Sequence, residues 1–177
     1  MSAVLFLDVD GVLNTMDEHE TRVYTSDETL VHITKYDIHA VGYYVAMQYR
    51  LLLNLKRVFD AYPTLKIVIS STWRENHEYR SFLLAALVDV CQIDVTTVVL
   101  GDTPVLGYLQ GGRGAEVRAW LADHPEYSHF VIVDDDHEDS FRRHGLLDHL
   151  VQTSLDEGLD DASTDEVLKV LRRQLEE

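Results

Sequence analysis

The apolar run at residues 3–7 (AVLFL) stops abruptly at Asp8-Val9-Asp10-Gly11, and this break limits the possible folds more than any other stretch of the 177-residue chain. Five consecutive apolar residues suit a strand buried on both faces, as at the centre of a parallel sheet. Gly11 then frees the backbone to turn sharply. Asp8 and Asp10, at i and i+2, therefore leave the carboxyl end of a central strand together, and in an open parallel sheet that end is where ligands bind. A carboxylate pair in that position can provide a nucleophile beside a metal ion.

The remainder of the chain repeats this pattern. Further strand-like runs lie at about 65–70 (LKIVIS), 92–99 (QIDVTTVV), 129–134 (HFVIVD) and 148–153 (DHLVQT). Helical spacing predicts helices over 43–61, where Leu51, Leu52, Leu55, Val58 and Phe59 recur before Pro63, and over 78–90 and 114–123. A terminal helix is expected at 164–176, with Ser163 and Glu166 matching a capping box. Strands alternating with helices predict an α/β domain, a parallel sheet covered on both faces. With 46% hydrophobic residues and three prolines, one core and a single domain over 1–177 are expected. Residues 15–42 break the alternation: they are polar and read as a small flap inserted over the end of the first strand.

Net charge is −16 (Lys and Arg 15, Asp and Glu 31), which opposes anionic membranes and any extended nucleic-acid surface. A phosphorylated substrate would need a metal and a few local cations. Cys91 is the single cysteine, so no intramolecular disulfide forms, and no leader-like or membrane-spanning segment is evident; a cytoplasmic location is expected. The nine histidines show no zinc-ligand spacing, though His137 stands beside an acidic triplet. Trp73 and Trp120 read as packing residues.

Three further runs could carry chemistry. In KIVISSTWR, a buried strand ends in Ser70, Ser71 and Thr72, hydroxyls suited to holding a phosphoryl oxygen or to capping a helix, and Arg74 adds a fork of donors. In FVIVDDDHED, Asp134, Asp135 and Asp136 reach the same sheet edge as Asp8. Such crowding is relieved most simply by a hard divalent ion such as Mg²⁺. In GGRGAEVRAWL, Arg113 lies between glycines just before a helix, with Arg118 further on.

Taken in order, DVDGVLN, strand-SSTWR, the glycine-flanked arginine and strand-DDD resemble the four motifs of the haloacid dehalogenase (HAD) superfamily. SSTWR with RGAEVRAWL and VDDD is similar, more narrowly, to the HAD domains of the Swiss Army Knife RNA repair proteins. The resemblance implies a Rossmann-like three-layer α/β/α domain with strand order 5-4-1-2-3 and a minimal cap. It implies a phosphatase in which Asp8 is the nucleophile and Asp10 the general acid and base. Mg²⁺ would be bound by Asp8, the Asp10 carbonyl, Asp134 and Asp135. Phosphate would be held by Ser70, or next by Ser71, and by Arg113, with Arg74 or Arg118 as alternatives. The expected substrate is a phosphorylated small molecule or nucleic-acid end, reached through an open site that a protein partner could cover. A silent HAD module that binds a metal or nucleotide and acts through a partner is the competing expectation.

Overall fold

The computed structural model describes residues 3–15, 22–25, 30–32, 46–106 and 108–175. Five strands build a wholly parallel sheet: β1 (Val4–Leu7), β5 (Lys66–Ile69), β6 (Val99–Asp102), β7 (Phe130–Asp134) and β8 (Leu150–Gln152). Their spatial order is β6-β5-β1-β7-β8; numbered among themselves they run 3-2-1-4-5, or 5-4-1-2-3 from the opposite edge. The first strand is thus central, paired with β5 on one side and β7 on the other, and all four of its residues are completely buried.

Strand alternation sends side chains to two cores. Leu5, Leu7, Ile67, Ile69, Val131 and Val133 face three helices: α1 (Tyr49–Ala61), α2 (His77–Asp89) and α6 (Asp161–Leu175). Val4, Phe6, Val68 and Ile132 face α4 (Gly112–Asp123) and the short α5 (Glu138–Arg142). On that side Phe6 is met edge-on by Trp120 at 5.3 Å and by Phe130 at 5.9 Å, a favourable arrangement for aromatic quadrupoles. Helices on both faces of a parallel sheet make the three α/β/α layers. Among the described residues, no helix is long and apolar enough to cross a membrane.

Several boundaries differ from expectation, each for a local reason. The run at 92–99 is not a strand: Asp94 accepts hydrogen bonds from the Thr96 N–H (3.1 Å) and from the Thr96 and Thr97 hydroxyls (2.6 and 3.1 Å). That cap closes a helical turn, α3 (Val95–Val98), and pushes the strand to β6 despite the β-branched composition. The Ser163–Glu166 capping box does not form. Asp160 caps α6 instead, accepting from the Ser163 N–H at 2.8 Å and its hydroxyl at 2.7 Å, while Glu166 pairs with Lys169. The helix expected from 43 begins at Tyr49, because β4 (Ala46–Gln48) precedes it.

β4 belongs to a second, antiparallel sheet of order β3-β2-β4, with β2 (Arg22–Thr25) and β3 (Leu30–His32) supplied by the expected flap; residues 16–21, 26–29 and 33–42 of that flap lie outside the described residues. The insertion is pinned where it leaves and rejoins the domain: Gln48 accepts from the Thr15 N–H and donates to the Thr15 carbonyl, both at 2.9 Å. Tyr24 is buried against Phe82 (5.5 Å, nearly parallel), and its hydroxyl donates to Asp89 at 2.6 Å.

The backbones of α4 and α5 approach so closely that a Cβ at Gly114 would lie 2.2 Å from the Ser140 carbonyl oxygen. Gly114→Ala is therefore expected to destabilise the protein by about 1–3 kcal/mol, read as a lower urea midpoint, because a backbone contact cannot swing aside. An unchanged midpoint would contradict that packing.

Candidate active site

The carboxyl ends of β1, β5 and β7 converge on a cleft of about 520 Å³, lined among others by Asp8, Asp10, Arg113, Glu116, Asp134 and Asp135. Asp8 leaves the sheet with its N–H on the Val133 carbonyl at 3.1 Å, which ties the start of the first loop to the neighbouring strand. Carboxylate oxygens of Asp8, Asp134 and Asp135 all lie within 4.8 Å of one another. Gly11, at φ +68°, makes this approach possible, since a Cβ there would sit 2.3 Å from Asp135 Oδ2.

Asp10 lies on the same loop but is held differently. Its carboxylate accepts the Trp73 indole N–H, 3.1 Å from each oxygen, and the Asn14 side-chain amide at 2.8 Å. Asp10 therefore does not join the three-carboxylate cluster through its side chain.

Arg113, in the first turn of α4, faces the cluster: its Nε is 3.4 Å from Asp134 Oδ2 and its Nη2 is 3.9 Å from Asp8 Oδ1. Its Nη1 donates to buried Glu116 at 3.0 Å. Arg74 lines the cleft too, but its fork is turned into the protein. The three guanidinium nitrogens bond the Thr103 carbonyl (3.0 Å), the Ser71 carbonyl (2.5 Å), and Glu116 (2.9 Å) with the Pro104 carbonyl (3.4 Å). The donors expected to bind phosphate instead brace the loop after β6. Arg118 points elsewhere, to the His144 and Gly145 carbonyls.

The two candidate hydroxyls are also distinguished. Ser71 accepts the Trp73 N–H at 3.3 Å, and its hydroxyl is near enough to Asp8 to draw that carboxyl's pKa down. The Ser70 hydroxyl is fully buried and without a hydrogen-bond partner among the described residues. The contact with Asp8 thus belongs to the second choice, not the first.

Three residues of the site are not read as such in the sequence, where Trp73 reads as packing. Asn14 and Trp73 fix Asp10, and Glu116 anchors both arginines while accepting the Leu106 N–H at 3.0 Å. Glu116 stands three residues after Arg113, a spacing that places both on one helix face and could have flagged the pair. Trp73 gives no such signal.

A family model describing the HAD domain in Swiss Army Knife RNA repair proteins matches residues 4–164. The chain belongs to this HAD family. Searches of the curated proteins and of the solved structures found no match.

Electrostatics in this HAD domain follow from burial. Burial pushes Asp8 from an ordinary 3.8 up to about 7, with Asp135 adding repulsion, against the opposing pull of Arg113 and the hydrogen bonds from Ser71 and Val9. Burial and then Asp8 raise Asp134 well above the carboxylate range, and burial raises Asp135. Burial works against the charge on Arg113 as well, but Asp8, Asp134 and Glu116 outweigh it and leave the guanidinium more firmly protonated. Asp134 Oδ2 is buried and, apart from its ion pair with Arg113 Nε at 3.4 Å, has no hydrogen-bond partner among the described residues. A cluster of oxygen donors with one unsatisfied, its members held back from ionising, fits a hard divalent cation.

The crowding has a pH signature. Between about pH 4 and 7 the folded HAD domain retains a proton on Asp8 that the unfolded chain has released, and the raised Asp134 acts in the same direction. Unfolding then releases protons, so the stability of the metal-free protein falls as pH rises through that window. Asp94 and Asp160, held low by hydrogen bonds from Thr96, Thr97 and Ser163, act in the opposite sense and lose their contribution as pH falls below about 4. The metal-free melting temperature is expected to be highest near pH 5 and several degrees lower near pH 8. A melting temperature that climbs between those pH values would contradict the crowded cluster.

Proposed function

We propose that this domain is a Mg²⁺-dependent phosphohydrolase that works through an aspartyl phosphate on Asp8, with nucleotide or polynucleotide terminal phosphates as substrates. The observation that carries this reading is the different setting of the two carboxylates of one short loop. Asp8 lies in a cluster of like charge beside Arg113, whereas Asp10 is held apart by Trp73 and Asn14.

In the first step, the Asp8 carboxylate attacks phosphorus and the bond to the leaving oxygen breaks as Asp10 gives that oxygen its proton. Arg113 and the Ser71 hydroxyl, both beside Asp8, are placed to hold the phosphoryl oxygens. In the second step, Asp10 takes a proton from water as the water oxygen attacks phosphorus; phosphate leaves and the Asp8 carboxylate is restored. When bound by Asp8, Asp134, Asp135 and the Asp10 carbonyl, Mg²⁺ supplies the charge that keeps the carboxylates ionised and offsets that of the phosphoryl group.

The family's association with RNA repair supports a nucleic-acid end as substrate. The net charge of −16 opposes contacts to a long backbone and restricts recognition to the terminal nucleotide. Expected results are turnover of an aryl phosphate with Mg²⁺, its loss with chelator, and a melting temperature raised by millimolar Mg²⁺. Absence of turnover across aryl phosphates, nucleotides and 3′- and 5′-phosphorylated oligonucleotides would overturn the proposal.

A further inference from the structure

A second cavity, of about 240 Å³, adjoins the cleft and shares Asp10 and Thr72 with it; its other walls are Trp73, Asn76 and Tyr79. Neither Asp8, Asp134, Asp135 nor Arg113 lines it, and its described walls carry no lysine or arginine. That composition does not suit a second phosphate. Tyr79 is half-buried and packs its ring 5.4 Å from that of Trp73, giving the cavity a flat aromatic side. Asn76 caps α2 through its oxygen, accepting from the Glu78 and Tyr79 N–H groups at 2.9 and 3.2 Å. Its NH₂ group has no hydrogen-bond acceptor among the described residues.

Position and chemistry together identify an occupant. A general acid must reach the leaving oxygen within hydrogen-bond distance, so the leaving group lies on the Asp10 side of the phosphorus, away from Asp8. The cavity that includes Asp10 and excludes the cation-holding residues lies on that side. We propose that it is the leaving-group subsite and that it takes a nucleoside, the base lying against Tyr79 and a base or ribose acceptor meeting the Asn76 amide. A nucleoside is an uncharged alcohol with a flat ring and hydrogen-bond acceptors, which matches these walls. The assignment rests on the phosphohydrolase reading for the direction in which the leaving group departs.

The test compares adenosine 3′- and 5′-monophosphates with glycerol phosphate, whose leaving groups are all alcohols. The wild-type protein is expected to favour one or both nucleotides in kcat/KM by about tenfold or more, and Tyr79→Leu to cut that preference by about tenfold, the leucine keeping apolar contact with Trp73 while removing the flat ring. Equal use of nucleotide and glycerol phosphate, or a preference that survives Tyr79→Leu, would overturn the subsite. Calorimetric binding of phosphate-free adenosine separates this from the parent reading. If no phosphate ester is turned over, adenosine binding that weakens in Tyr79→Leu still supports a nucleoside site in this cavity while the leaving-group role falls with the parent reading, and absence of adenosine binding by the wild type rejects the site.

Discussion

Asp8→Asn is expected to abolish turnover, by about a thousandfold or more, and at the same time to raise the melting temperature of the metal-free protein. The two effects share one cause. Asp8 is a buried carboxylate crowded by Asp134 and Asp135, so the folded chain carries it at a cost that an amide of the same shape does not incur. Arg113 keeps Asp134 and Glu116 as partners, so the substitution does not strand it. Turnover above about a tenth of wild type would remove Asp8 from the nucleophile's role. A lower melting temperature would show that the carboxylate stabilises the metal-free fold and would contradict the crowding.

Glu116→Gln is expected to have the largest effect on stability, a loss of about 3–5 kcal/mol measured by urea unfolding. Glu116 is the shared counter-charge of two arginines, with Arg74 and Arg113 at 2.9 and 3.0 Å from the same oxygen, all three side chains largely buried. Neutralising it leaves two cations facing one another in a region with little water to screen them. Arg113 then loses its anchor on α4, so affinity for inorganic phosphate should fall as well. Glu166→Gln is the contrasting case. Its partner Lys169 lies three residues along the exposed face of α6, and the loss should stay within about 0.5 kcal/mol. Equal effects at the two positions would mean that burial does not govern the Glu116 pair.

Residues whose setting follows from local pattern were legible in the sequence. Runs such as AVLFL and FVIVD are apolar throughout because the sheet is covered on both faces, and the same runs fix where Asp8 and Asp134 emerge. Arg113 was legible because glycines and a helix start surround it. What could not be read depends on contacts distant in the chain or on competing local bonds. Arg74 and Glu116 are 42 residues apart, and their pairing turns an apparent phosphate ligand into a brace. Trp73 and Asp10 are 63 residues apart, so the indole read only as packing. VTTV, at 95–98, has a strand's composition, yet Asp94 captures it for a helical turn. Asp160, just outside the expected helix, displaced Ser163 as the cap of α6 because its carboxylate reaches the Ser163 N–H.

The central claim, covalent transfer to Asp8, is tested most directly by acid-quenching the protein during turnover of a ³²P-labelled aryl phosphate. In an Asp10→Asn variant, where hydrolysis of the intermediate is slowed, label is expected on the peptide carrying Asp8, stable to acid and released by alkali. Turnover by the wild type with no label at Asp8 in that variant, or label that persists after Asp8→Asn, would contradict the account.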